Sequence, residues 1–322
     1  MPEHALDSQV VRLTRRQFAL ASAAALPLLA SASCKKSSAA EGSLSASATP
    51  RPASGWRWRS ASFASSIDQP NGQAAEILAP EGKCALPTIV ALHGRGESGH
   101  GLADGAHGWE SYYDLATIHG RLLAAPITAD DVGGFLDDDR IAAINASLAK
   151  KPYAGLCVAC PYTPNLGLPG ADEVQPFAHF VVNDLLSKTT ELTGAPRTRD
   201  KTGIDGVSMG GRLALLVGLS HPEVFASVGA LQPQMEKEEA TMFAELAKKA
   251  TSTNKIALRL VSSTDDPFLD AVQALDGELT RLAVAHRTII TKGPHDYVWN
   301  KGPGGCEMLM FHERVLRGLP SV

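Results

Sequence analysis

The chain has no basic excess. Its 30 Lys and Arg face 34 Asp and Glu, for a formal net charge of −4. Nucleic-acid binding usually calls for a basic surface, so no nucleic-acid partner is expected. Past the N-terminal stretch, no segment approaches 18 consecutive apolar residues, so nothing in the body of the chain reads as a membrane span. No internal repeat is found. Cysteine is scarce, at Cys34, Cys84, Cys157, Cys160 and Cys306. Cys157 and Cys160 have redox-motif spacing but no accompanying His/Cys set, which argues against zinc. They stand three apart in a strand-like run, so they point to opposite faces and read as small buried hydrophobes. With Cys34 set aside, four cysteines leave three disulfide pairings open.

What is present is ordinary globular composition, 44% apolar and 20% charged. A single large α/β domain accommodates this length. Residues 1–33 differ from the rest. Arg15 and Arg16 precede Phe18 and a mild apolar run over 18–32. That pattern reads as an export signal of twin-arginine type, and the run is short for a spanning helix. Small residues before Cys34 resemble a lipoprotein cleavage site, with ordinary cleavage near Ala32 as the alternative. Lipidation of Cys34 would anchor the protein to a membrane. Residues 34–55 are rich in Ser and Ala and read as a flexible linker. The expected location is therefore the periplasm or cell envelope, or outside the cell.

From residue 56 to 322, strand-like and helix-like runs alternate. Strands are expected at 85–92, 122–127, 155–161, 201–207, 225–231, 256–262 and 287–291. Helices are expected at 138–148, 177–192, 210–219, 236–250, 270–283 and 306–316. This alternation predicts an α/β fold, a mainly parallel sheet with helices on both faces. Residues 128–153 break the rhythm and read as an insertion, either a cap over a site or a surface excursion.

Gly206-Val207-Ser208-Met209-Gly210 has the Gly-x-Ser-x-Gly form. Composition alone would produce roughly 0.2 such matches in a chain like this. Context adds weight, because a strand precedes Ser208 and a helix follows it. A nucleophile elbow needs that setting, with glycines where the turn is tight. Serine is a weak nucleophile and needs a base. His295, in Gly293-Pro294-His295-Asp296, follows the last expected strand and is the candidate. An acid must hold the histidine's tautomer. Asp266 follows the strand at 256–262 and is chosen, with Asp265 next and Asp270 third. Ser208, Asp266 and His295 are separated by 58 and 29 residues, room for the intervening strands and helices. The glycine-rich stretch from His93 to Gly99 follows an early strand. It lacks the Lys-Ser/Thr ending of a phosphate-binding loop. The backbone N–H groups of Arg95 and Met209 are the expected oxyanion donors, and His93 is expected to brace the loop.

His93-Gly94, Gly206–Gly211, Asp265-Asp266-Pro267-Phe268 and Gly293–Asp296 together resemble the α/β-hydrolase superfamily, in its esterase D-like branch. The resemblance spans about 56–320. Ser263 departs from it, where the family often has glycine, and so does the insertion at 128–153. The resemblance implies an α/β-hydrolase catalytic domain over 56–322. It also implies a Ser-Asp-His serine hydrolase acting on small-molecule, glycan or lipid esters, without metal or cofactor. An acyltransferase or serine peptidase would use the same parts. A non-catalytic binding lipoprotein is the remaining alternative. Trp109, Tyr112, Tyr113, Tyr297 and Trp299 are candidates for either pocket or core.

Overall fold

The computed structural model describes residues 54–322. The expected export signal, Cys34 and most of the linker lie outside the described residues. One eight-stranded sheet organises the chain: β1 Trp56–Phe63, β2 Gln73–Pro80, β3 Thr88–Leu92, β4 Cys157–Pro161, β5 Thr202–Gly206, β6 Ser227–Leu231, β7 Ala257–Asp265 and β8 Arg287–Pro294. The order is β1-β2-β4-β3-β5-β6-β7-β8. From β4 to β8 every pairing is parallel, while β1 and β2 are antiparallel at one edge.

The central strands β3, β5 and β6 are buried at every position. Parallel strands covered on both faces require this. Successive side chains alternate between two cores: Val90 and Leu92 pack on one face, Ile89 and Ala91 on the other. The first core is closed by helices Met209–Ser220, Ala240–Thr253 and Leu269–Arg281, and by a helical stretch running from Gln175–His179 through a wider π turn to Leu186–Thr193. Helices Leu115–Leu123, Asp138–Lys150 and Gly305–Leu316 close the second. Cys157 and Cys160 fall into opposite cores, as their spacing in a strand requires. Among the described residues, no helix is long and apolar enough to cross a membrane.

Two expectations need correction. The run 122–127 is not a strand. Leu122 ends the buried stripe of helix Leu115–Leu123, where Leu115, Ile118 and Leu122 recur at helical spacing. The chain then turns through the cis Ala125–Pro126 bond. Conversely, β1 and β2 lie ahead of the first expected strand. β1 is an edge strand with mixed exposure, and β2 is rich in alanine, so neither has a long apolar signature.

The segment 128–153 contributes helix Asp138–Lys150 to the layer over the second core, and its Phe135 lies against Gly293 at the carboxyl end of β8. Asp137 caps helix Asp138–Lys150, accepting from the Arg140 N–H at 2.7 Å. Ile144 and Leu148 enter the second core. Arg140 reaches Glu307 through two bonds of 2.6 Å. The Phe135 carbonyl accepts from the Lys292 N–H at 3.2 Å. The segment therefore braces β8, the strand that leads to His295.

Candidate active site

Sequential strands reverse direction across the sheet at β3, which lies between β4 and β5. In open α/β sheets such a switch point opens a crevice at the carboxyl ends of the strands. Here the 93–96 loop leaves β3 and Ser208 follows β5. The resulting cleft is about 330 Å³ and is lined by Gly94, Arg95, Glu97, Tyr113, Ser208 and His295, with Tyr297 at its rim.

Ser208 sits at φ 57° and ψ −119°, a strained conformation for a non-glycine residue. Its backbone is clamped on both sides. The N–H donates to the Leu231 carbonyl at 2.9 Å, and the carbonyl accepts from Gln234 at 2.9 Å and Arg212 at 3.1 Å. The turn is too tight for side chains at its flanks. A Cβ at Gly206 would stand 2.4 Å from the Gly210 carbonyl oxygen, and one at Gly210 would stand 2.4 Å from the Leu92 carbonyl oxygen. Met209 opens helix Met209–Ser220 and Arg95 opens the short helix Arg95–Ser98. First-turn N–H groups have no intrahelical acceptor, so both remain free to donate elsewhere. The Gly94 N–H is engaged, donating to the Tyr113 hydroxyl at 3.0 Å.

Asp266 and His295 come together through an Oδ1–Nδ1 hydrogen bond of 2.8 Å. The Asp266 side chain is fully buried, and that of His295 is 21% exposed. Asp266 Oδ2 accepts from the Ser262 hydroxyl at 2.5 Å, and Oδ1 also accepts from the Phe268 N–H at 3.0 Å. These bonds hold the carboxylate in one orientation. Asp265 and Asp270 are both exposed, and Asp270 lies in the first turn of helix Leu269–Arg281. Ser263 ties the loops together: its hydroxyl accepts from Gln232 Nε2 at 2.7 Å, and Gln232 Nε2 also donates to the Pro294 carbonyl at 3.0 Å. Gln232 is itself at φ 44°.

His93 is a brace. Its Nδ1–H donates to the Gly94 carbonyl at 2.9 Å, and Nε2 accepts from the Thr163 N–H at 2.8 Å. Burial pushes its pKa down to about 4, so it is neutral near pH 7. Trp109 and Trp299 are core residues, whereas Tyr113 and Tyr297 line the cleft.

One group has no counterpart in the sequence reading. Glu97 is buried, yet it faces the cleft. Its Oε2 accepts from the Tyr113 hydroxyl at 2.6 Å and its Oε1 from the Tyr297 hydroxyl at 2.7 Å. Burial pushes both phenol pKa values up, and the Glu97 charge pushes them further. A lone carboxylate in a glycine-rich stretch was the available signal. Away from the cleft, Glu76, His107 and Glu110 bring their ligand atoms within 4.8 Å of one another. His107 Nδ1 is 2.5 Å from Glu110 and Nε2 is 3.6 Å from Glu76. Burial works to lower the His107 pKa, but the Glu110 hydrogen bond and the two carboxylate charges raise it overall. This cluster places the His107 imidazole between two carboxyl groups.

The strand order, the elbow and the helices on both faces define an α/β-hydrolase fold. Residues 164–287 match the family described as Putative esterase. Among solved structures, a ferulic acid esterase is similar with a TM-score of 0.60 at 15% identity, covering 81% of this chain and 99% of that one. S-formylglutathione hydrolase (FrmB) from Staphylococcus aureus gives 0.52 at 15% identity, with 80% and 99% coverage. A ferulic acid esterase from Anaeromyces mucronatus gives 0.54 at 15% identity, with 83% and 94% coverage. No curated protein matches the chain. These neighbours share the fold of the chain.

Proposed function

We propose that the protein is a serine hydrolase that cleaves carboxylic esters through an acyl-enzyme. The observation that carries this reading is the buried Asp266 bonded to His295, which shares a cleft with the strained elbow serine. In this mechanism Ser208 Oγ attacks the ester carbonyl carbon while His295 Nε2 takes the hydroxyl proton. The Asp266 bond to Nδ1–H selects the tautomer whose Nε2 lone pair faces the serine proton, and it stabilises the imidazolium that forms. The N–H groups of Arg95 and Met209 receive the developing oxyanion. His295 returns the proton to the leaving alcohol. Water then attacks the acyl-enzyme, with His295 again as base.

Ser208→Ala, assayed with p-nitrophenyl acetate, tests the reading. Turnover should fall by about 10³-fold or more, since the nucleophile carries the chemistry. Labelling with a fluorophosphonate should place the adduct on Ser208. The fold neighbours include a fluorophosphonate-binding serine hydrolase from Staphylococcus aureus. Full turnover by the variant, or no adduct on folded protein, would overturn the proposal.

Export is proposed on the strength of residues 1–33, and membrane anchoring on Cys34. Replacing Arg15 and Arg16 by Lys should retain the full-length chain in the cytoplasmic fraction. Replacing Cys34 by Ala should release the exported protein from the membrane fraction.

A further inference from the structure

Cys84 and Cys157 meet at the amino end of the parallel strands. Their Sγ atoms are 3.3 Å apart, in contact as thiols. Both backbones are anchored. The Cys157 N–H donates to the Pro87 carbonyl at 2.9 Å and the Cys84 N–H to the Thr193 carbonyl at 2.7 Å. Cys157 is buried in strand β4, whereas Cys84 is partly exposed in the irregular segment 81–87. The other described cysteines are no rivals, because Cys160 and Cys306 lie in the second core, across the sheet.

We propose that Cys84 and Cys157 are a disulfide-forming pair, oxidised by exchange with a small-molecule or protein disulfide. A disulfide needs its sulfurs at about 2.05 Å. The irregular segment carrying Cys84 supplies the roughly 1 Å movement, while β4 stays fixed. The order of events follows from exposure. The Cys84 thiolate attacks one sulfur of the incoming disulfide, forming a mixed disulfide and releasing one thiolate. Cys157 then gives up its proton and attacks Cys84 Sγ, releasing the second thiol. Two protein thiols are oxidised and one external disulfide is reduced to two thiols. The acidities agree with that order. The Cys157 hydrogen bond holds the Cys84 thiol down to about 6 against its burial, with the Arg59 charge assisting. The same bond and burial push Cys157 up. A low thiol pKa together with access is what selects a cysteine for exchange.

The cross-link would join residues 73 apart in sequence. It would tie the entry to β3 onto β4, at the end of the sheet away from Ser208, since Thr88 pairs with Cys157. It should therefore change stability and leave turnover alone.

The test uses the full chain, purified reduced and then incubated with oxidised glutathione. Alkylation and peptide mapping should show the Cys84 and Cys157 peptides joined, with Cys160 and Cys306 alkylated after denaturation. The melting temperature should rise by roughly 5–10 °C on oxidation. Cys84→Ser should lose that rise, with esterase turnover within about twofold of the parent. Separately alkylated peptides, glutathione retained on Cys84, or linkage to another cysteine would each refute the pairing. So would an equal oxidative shift in Cys84→Ser.

Discussion

The Tyr297 hydroxyl donates to Glu97 Oε1 at 2.7 Å, across a sequence separation of 200 residues. Tyr297 follows His295 by two positions, and Glu97 follows Arg95 by two. This bond therefore joins the histidine loop to the loop that carries a proposed oxyanion donor. Tyr113 fills the other carboxylate oxygen and also accepts from the Gly94 N–H. Glu97 thus anchors both loops from one buried position.

Tyr297→Phe removes one donor from this carboxylate and nothing else of size. A hydrogen bond to a charged group contributes about 1.5–3 kcal/mol. We expect kcat/KM for p-nitrophenyl acetate to fall roughly 10-fold, with the larger part in kcat because loop placement matters most in the transition state. A variant matching the parent in both constants would show that the loops are placed independently of this bond.

Asp266 and Asp265 are adjacent in sequence but opposite in environment. Asp266 is buried against His295, Ser262 and the Phe268 N–H, whereas Asp265 is exposed. Asp266→Asn should lower kcat by about 10³–10⁴-fold, since an amide can donate to Nδ1 and impose the wrong tautomer. Asp265→Asn should stay within about twofold. The reverse ranking in steady-state assays would reassign the acid.

How much of this was legible in the sequence depends on the range of the signal. The elbow is local: strand, glycine, serine, glycine and helix lie within 202–220, so Ser208 was readable. β3 to β8 were readable for the same reason, being short apolar runs between helical stretches. β1 and β2 were not, because an edge strand such as Trp56–Phe63 alternates only partly and buries little. The run 122–127 misled because a helix's last buried turn followed by Pro126 looks like a short strand. Glu97 carried only a faint signal, a lone carboxylate in a glycine-rich stretch, for a different reason. Its partners Tyr113 and Tyr297 lie 16 and 200 residues away, and nothing local shows that a carboxylate is buried. The same holds for Cys84 and Cys157, whose contact depends on the β3–β4 pairing.

Gly210 packs the helix behind Ser208 against the end of β3. Its missing side chain leaves room for the Leu92 and His93 carbonyls, each within 2.5 Å of where a Cβ would stand. Gly210→Ala must push the helix and the 93–96 loop apart. Overpacking of this kind costs about 1–3 kcal/mol, so the melting temperature should drop by roughly 3–10 °C. Because the displaced loop carries Arg95, activity per folded molecule should fall as well. Retention of parent turnover and melting temperature would mean the helix accommodates the methyl group without moving the loop.

Stability should fall on mild acidification, and His119 should be one source. Its ring is buried against Trp56 at 4.2 Å and Tyr153 at 5.3 Å, and Nε2 has no partner among the described residues. Burial pushes its pKa down to about 3. The folded protein therefore keeps it neutral, while the unfolded chain protonates it below about 6.5. The unfolded state binds more protons, so stability is full above about 6.5 and declines as pH falls, a decline complete only near pH 3. At pH 5.5 the loss is about 1–2 kcal/mol from this group. His93, held down to about 4, acts in the same sense over a narrower window. His107 opposes them, because its raised pKa adds stability below about 6.5 that is lost as pH rises. Its contribution is reduced by solvent screening. His119→Phe removes the titrating group and leaves no polar atom behind. Urea midpoints measured at pH 7.5 and 5.5 should therefore differ less in the variant than in the parent. Equal differences in the two proteins would show that His119 carries none of the acid sensitivity.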